Sequence, residues 1–306
     1  MIRKIFISGA TGLIGHELVK KLFNRGDEIT IITRNKAKNY DDFSFVSRME
    51  QVEYNSSDEL TDLISGHDAV VHLAGTSISD KKWTPEFKKE IYDSRIHTTR
   101  LIVDAIAKTD KKPESFICAS AVGFYGDRGN EPLRESSAPG NDFLSNVCKD
   151  WETESEKVKN SGVRCVNIRT GVVLSIEGGA LTKMLPTFKF FIGGGLGSGN
   201  QFFPWIHHSD EVNIFVHSID TQSLEGPVNA VAPDSVTMNE FARSLGSILK
   251  RPSFFNVPGF ALKMIMGEGA QMITASQKVV PEKLLNSNFQ FQYTPLKTAL
   301  VDLLLL

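Results

Sequence analysis

Ile5-Phe6-Ile7-Ser8-Gly9-Ala10-Thr11-Gly12-Leu13-Ile14-Gly15 lies at the start of a chain of 306 residues, and Leu18, Val19 and Leu22 continue it at helical spacing. The order is buried strand, glycine turn, helix. Glycine is needed in such a turn to bend tightly, to let backbone N–H groups approach a pyrophosphate, and to let helix pack on strand. The positive end of the helix then faces the phosphates. The spacing is Gly9-x-x-Gly12-x-x-Gly15 rather than the G-x-G-x-x-G of most dehydrogenases, but its place between strand and helix reads as a dinucleotide site. Gly9, Thr11, Gly12, Leu13, Ile14 and Gly15 are its expected contacts.

Outward from this turn, Glu28 to Thr33 reads as a second strand. Its end lies about 20 residues on, where NAD enzymes place an acid for the ribose 2′-hydroxyl. Here stand Thr33 and Arg34. A guanidinium cannot accept from a hydroxyl but can clamp a 2′-phosphate, so NADP(H) is favoured. Val52 to Tyr54 is the expected third strand, Asp58 to Ile64 a short helix, and Asp68 to Gly75 a fourth strand. Leu73, Ala74 and Gly75 let backbone pass close to the adenosine half of a cofactor, and His72 reads as a packed core histidine. Helical patterns over Pro85 to Ser94 and Ile96 to Ile106 precede a fifth strand, Ser115 to Ser120, and a loop through Gly123 and Tyr125. Asn141 to Lys159 reads as a helix and Val163 to Ile168 as a sixth strand. The fold class is thus α/β, a Rossmann-type doubly wound parallel sheet with a smaller mixed C-terminal substrate lobe. Chemistry belongs at the carboxyl ends of its strands.

The expected domains are residues 1–174, NADP-binding, with contributions to about 235, and residues 175–306, a glycine-rich pocket segment and small lobe. Glycines from Gly178 to Gly199 flank an apolar helix, Leu181 to Ile192, and lead into Gln201-Phe202-Phe203-Pro204-Trp205-Ile206-His207-His208-Ser209-Asp210. That stretch suits a pocket wall, and Ser209 and Asp210 suit the cap of a following helix. Phe260 to Ile273 reads as a later helix.

The formal net charge of −2 gives no reason to expect nucleic acid or an anionic membrane. Cys118, Cys148 and Cys165 lack metal-ligand spacing and fit a reducing cytoplasm. No metal constellation is present, and the last four leucines are too short a run to span a bilayer.

With these motifs the chain resembles the extended short-chain dehydrogenases/reductases, the NAD(P)-dependent epimerase/dehydratase superfamily. The glycine turn, His72-Leu73-Ala74-Gly75, Phe124-Tyr125-Gly126 and Trp205-Ile206-His207-His208-Ser209-Asp210-Glu211-Val212 carry the resemblance in order. Trp83-Thr84, Asp93-Ser94-Arg95-Ile96, Asp150-Trp151-Glu152, Arg169-Thr170-Gly171 and Gly193 to Gly199 resemble a subgroup of sugar-nucleotide-epimerase-like proteins described as related to a cell-division inhibitor. The resemblance implies NADPH through Thr33 and Arg34. It also implies a Ser/Thr, a Tyr, a Lys four residues later and an Asn as catalytic groups. Those positions fall on Ala121, with Ser120 adjacent, on Leu144, on Cys148, with Lys149 adjacent, and on Arg95.

Proton transfer must therefore come from elsewhere, and Ser120, Tyr125 and Lys149 are the candidate catalytic residues. Arg95, beside the cofactor, suits a phosphate or carboxylate. Arg169, Gln201, Trp205 and His207 are the candidate substrate pocket. Two readings remain: an NADP(H)-dependent oxidoreductase or epimerase-like enzyme for a small, sugar-nucleotide or anionic substrate, and a catalytically degenerate NADP(H)-sensing or partner-binding protein. Edge helices of this class also allow a homodimer.

Overall fold

Continuous apolar runs make strands buried on both faces. The computed structural model, which describes residues 2–305, has a sheet of seven parallel strands, most of them of this kind: β1 Lys4–Ser8, β2 Glu28–Thr33, β3 Arg48–Gln51, β4 Ala69–His72, β5 Ser115–Ala121, β6 Arg164–Thr170 and β7 Gly226–Ala230. They lie in the order β7-β6-β5-β4-β1-β2-β3. The chain moves outward from β1 to β3 and returns to pair β4 on the other side of β1. The switch point is therefore between β1 and β4, where Ser8 stands opposite His72; in sheets of this kind ligands bind in the crevice outside the carboxyl ends at that point.

The longer helices are α1 Leu13–Arg25, α2 Asp58–Ile64, α3 Pro85–Lys108, α4 Phe143–Glu156, α5 Gly179–Lys189, α6 His208–Asp220, α7 Met238–Leu249, α8 Gly259–Met266 and α9 Leu296–Leu305. Side-chain alternation along β1 divides the core. Ile5 and Ile7 meet Leu18 and Leu22 of α1 and Phe215 of α6 on one face, while Phe6 meets Ile102 of α3 and Trp151 of α4 on the other. The Ser8 hydroxyl lies 2.6 Å from His72 Nδ1, and burial pushes that imidazole down to about 3. His72 is a neutral pin between β1 and β4.

Several boundaries differ from the sequence expectation. The third strand is Arg48–Gln51 rather than Val52 to Tyr54. Val52 N–H still bonds Thr33 O, but Tyr54, at φ 57, turns the chain away. An edge strand with only Met49 buried leaves little apolar pattern to read. The two patterns between Pro85 and Ile106 are one helix, because nothing between them breaks it. The helix expected over Phe260 to Ile273 breaks at Gly267, φ 62.

Beyond residue 174 the chain re-enters the sheet. Trp205–His207 pairs with Val172–Leu174, and α6 delivers β7 to β6. Asp210 does not cap α6. The helix begins at His208, with His207 Nδ1 accepting from Ser209 N–H. The Asp210 carboxylate instead accepts from Gln292 N–H at 2.9 Å and Tyr293 N–H at 3.0 Å. His207 stacks on Tyr293 at 3.8 Å and stands 3.2 Å from Asp302 of α9. Leu300 and Leu303 are buried at the end of the chain; Leu306, and Met1 at the other end, lie outside the described residues. Among these residues no helix is long and apolar enough to cross a membrane.

The two N–H groups are part-buried, so losing their shared acceptor costs about 0.5–1.5 kcal/mol each. Asp210→Ala is expected to lower the melting temperature by several degrees and to expose residues from about 287 onward to limited proteolysis, with the β1–α1 half still protected. Mass mapping of the first cleavage checks this, and unchanged protection would show that the tail is held by α9 packing alone.

Candidate cofactor and substrate site

At the switch point three backbone segments meet. A Cβ on Gly9 would lie 2.5 Å from Ala74 N, and one on Gly15 would lie 2.2 Å from Gly9 O. These two glycines are required by protein packing, Gly9 also by its φ of 78. Gly12 differs: its φ is −80, and a Cβ there would meet only Gly9 O, at 3.5 Å. Protein does not exclude a side chain at Gly12, so the open space beside it suits a phosphate. Gly12 is also the N-cap of α1, with no side-chain cap and no acid in the first turn. The first N–H groups of the helix, from Leu13 and Ile14, therefore lack side-chain partners and suit a pyrophosphate. Gly178 and Gly179 approach Leu13, and Lys183 Nζ donates to Ser79 Oγ at 2.7 Å. Helix α5 lies across the turn as a strap, a feature with no signal in the sequence pattern.

At the end of β2, Thr33 is buried and its hydroxyl accepts from Asn35 N–H at 3.3 Å and from Asn39 Nδ2 at 2.9 Å. Arg34 is exposed, and its guanidinium has no carboxylate partner among the described residues. Tyr54 folds back toward Ser8 and Arg34, and burial raises its hydroxyl to about 12. The donor set fits the phosphate on a dinucleotide ribose.

At the other end of the crevice, a Cβ on Gly75 would stand 3.4 Å from the Arg95 guanidinium carbon. Arg95 donates to Ile91 O at 3.1 Å and lies 5.2 Å from the Trp151 ring. No carboxylate pairs with it among the described residues, and burial lowers its pKa. Across from it, Leu144 and Cys148 of α4 both face Gly123: a Cβ there would lie 3.4 Å and 3.7 Å from them. The Cys148 thiol is pushed by burial to about 12 and is inert at neutral pH. Lys149 is exposed, about 100° further round the helix.

The remaining candidates gather in a buried polar chain. Ser120 Oγ donates to Glu152 Oε1 at 2.7 Å, and Arg169 grips Glu152 with Nε and Nη2, both at 2.8 Å. Arg169 Nη1 donates to Tyr125 Oη at 2.8 Å, and that hydroxyl donates to Asn229 Oδ1 at 2.6 Å. Burial opposes the Arg169 charge, and Glu152 outweighs it, so its pKa is raised. Burial raises Tyr125 to about 12. Arg169 and Tyr125 thus face each other inside the protein. Removing one partner from such a buried pair costs about 3–5 kcal/mol. Gln201 donates to Leu196 O at 2.6 Å and Ile273 O at 3.1 Å, tying the glycine loop to the lobe. Trp205 donates to Asp234 O at 3.0 Å from within the core, and His207 is buried against the C-terminal tail. Asn229 escaped the sequence reading, and Glu152 and Glu211 entered it only within motifs and without a role, because an acid or amide in sequence carries no sign of its partner.

Glu211 is wholly buried beneath the end of β6. Thr170 Oγ1 donates to Oε1 at 2.7 Å, and Oε2 has no partner among the described residues. Burial raises the carboxyl to about 8, against the lowering effect of Thr170.

A parallel seven-stranded sheet, a glycine turn at its switch point and a second lobe over the carboxyl ends define a Rossmann-type protein of the extended short-chain dehydrogenase/reductase class. Residues 5–230 match the model of the NAD dependent epimerase/dehydratase family, and residues 257–303 match a domain of unknown function, DUF1731. The chain belongs to this epimerase/dehydratase family. It is 41% identical over 303 residues to the chloroplastic epimerase family protein SDR39U1 homolog of Arabidopsis thaliana, covering 97% of this chain and 85% of that one. The crystal structure of human epimerase family protein SDR39U1 with NADPH is similar at a TM-score of 0.88 and 33% identity, over 98% of each chain. A nucleoside-diphosphate sugar epimerase from Corynebacterium glutamicum is similar at a TM-score of 0.78 and 32% identity; the match covers 99% of this chain and 58% of that one.

Gly12→Ala is expected to leave the melting temperature nearly unchanged while weakening dinucleotide affinity at least about tenfold. Gly15→Ala is expected to cost about 1–3 kcal/mol of stability through overpacking. Calorimetric binding and thermal melts on both variants separate ligand space from packing space. For Glu211, the raised folded pKa means that its stabilising protonation is complete below 4.5 and lost as pH rises toward 8. The slope approaches about 1.4 kcal/mol per pH unit. His72 and His207, held low by burial, titrate their penalties below 6.5. Glu211→Gln should therefore gain stability over the wild type between pH 6.5 and 8 in denaturant titrations.

Proposed function

We propose that the chain is an NADP(H)-dependent oxidoreductase or epimerase-like enzyme for a small anionic substrate such as a sugar nucleotide. Arg95 is its charged group at the reacting centre. The observation that carries this reading is the Arg95 guanidinium, without a carboxylate, beside Gly75 and opposite the Leu144 and Cys148 face. When bound, the nicotinamide supplies or accepts hydride. Arg95 stays protonated, so it binds and stabilises negative charge on the substrate rather than donating a proton. Leu144 and Cys148 make the opposite wall apolar and exclude a tyrosine–lysine relay. Arg34 clamps the 2′-phosphate, and the α1 amino end holds the pyrophosphate. Residues 1–174 carry the cofactor, and residues 175–306 supply the strap, the pocket segment and the lobe. The three buried free cysteines suit a reducing compartment such as the cytoplasm.

The Leu144 and Cys148 face also favours a second reading, a catalytically silent NADP(H) sensor. Calorimetry with NADPH and NADH, followed by a screen of nucleotide sugars and carbonyl compounds for NADPH oxidation, separates the two. NADPH is expected to bind at least about tenfold more tightly than NADH, with Arg34→Ala removing the difference. Arg95→Ala is expected to lower kcat/KM about 10- to 100-fold while NADPH still binds. NADPH binding with no turnover of any compound favours the sensor, and no micromolar binding of either nucleotide overturns both readings.

A further inference from the structure

We propose that the surface formed by the end of α5 and the segment from Lys250 to Met266 docks on an anionic lipid bilayer. Three stretches converge there. Phe190, Phe191 and Ile192 follow α5 and are 76%, 54% and 57% exposed. Phe255 N–H bonds Gly193 O, and Val257 N–H bonds Gly195 O, so the backbone after Ile192 runs beside the one that carries Phe254 and Phe255. Those two rings pack at 4.5 Å, with Phe254 72% exposed. Two residues past this pairing, α8 buries Leu262 and turns Phe260, Met264 and Ile265 outward, at 70%, 72% and 65% exposure. An exposed apolar surface of this extent marks an interaction site.

Charge selects the occupant. No Asp or Glu occurs between Glu177 and Asp210 or between Glu240 and Glu268, whereas these two stretches carry six Lys and Arg residues. Four border the apolar surface. Lys189 adjoins Phe190, Arg251 lies 4.4 Å from the Phe191 ring, Lys250 precedes it, and Lys263 stands on α8 between Phe260 and Met264. None of the four pairs with a carboxylate among the described residues. The chain-wide charge of −2 hides this local excess. A second copy would set the same cations against each other. Side chains exposed by 70% or more protrude rather than line a groove, so they offer no cleft to a partner helix. A bilayer surface accepts protruding aromatic and aliphatic side chains at its headgroup–acyl boundary and attracts the cations around them.

The test is co-sedimentation of the full chain with phosphatidylcholine vesicles, with and without phosphatidylglycerol, across a salt series. Binding is expected to require phosphatidylglycerol and to weaken as salt rises. The double variants Phe254→Ser/Phe255→Ser and Lys250→Glu/Arg251→Glu are each expected to lower partitioning at least about tenfold. Ile2→Ser, which removes an exposed apolar residue elsewhere, should leave it unchanged. Thermal melts confirm that each variant folds, independently of cofactor binding or turnover. Absence of binding to phosphatidylglycerol vesicles overturns the proposal, as does equal binding by the folded double variants. A dimer dissolved by Phe254→Ser/Phe255→Ser without vesicle binding would overturn it in favour of a second copy.

Discussion

At the turn after β1 backbone packs on backbone with no room for side chains, and much else depends on it. Gly9 lies against Leu73 and Ala74, and Gly15 lies against the Gly9 carbonyl. No side chain fits between these segments, so α1, β1 and the end of β4 are locked together. The lock points the uncapped end of α1 into the crevice at the switch point. The Ser8–His72 contact holds the same two strands one residue before the turn. Packing and ligand geometry thus share one set of atoms, yet Gly12 stands apart because its missing side chain leaves space rather than contact.

Around this fixed point the polar groups divide into two kinds. Arg169, Glu152, Ser120, Tyr125 and Asn229 satisfy one another inside the protein and stiffen the floor beneath the β5 loop. Such a network demands complete pairing, since an orphaned member in low dielectric is costly. Arg34 and Arg95 have no carboxylate partner among the described residues. Residues beyond 174 are tied together and to the rest of the chain at three points. Gln201 ties the glycine loop, Asp210 receives the returning tail, and Lys183 reaches Ser79 across the turn.

Five of the seven parallel strands, the glycine turn and the cation after β2 were legible in the sequence alone, because each has a short-range physical signature, whereas Gly226–Ala230 was not read as a strand. A continuous apolar run, a required glycine and a cation at a fixed distance from the turn can all be read in one dimension. The third strand was misplaced because a polar edge strand has only one buried residue to announce it. The tertiary structure decided the partners of buried polar groups. Arg169 and Glu152 are 17 residues apart, Tyr125 and Asn229 are 104 apart, and Asp210 meets Tyr293 across 83. Residue type shows that a charge exists, but only the folded chain shows whether another residue neutralises it. That is why Arg95 and Arg169, equivalent as letters, stand in opposite roles: one without a carboxylate at the crevice, the other paired within the core.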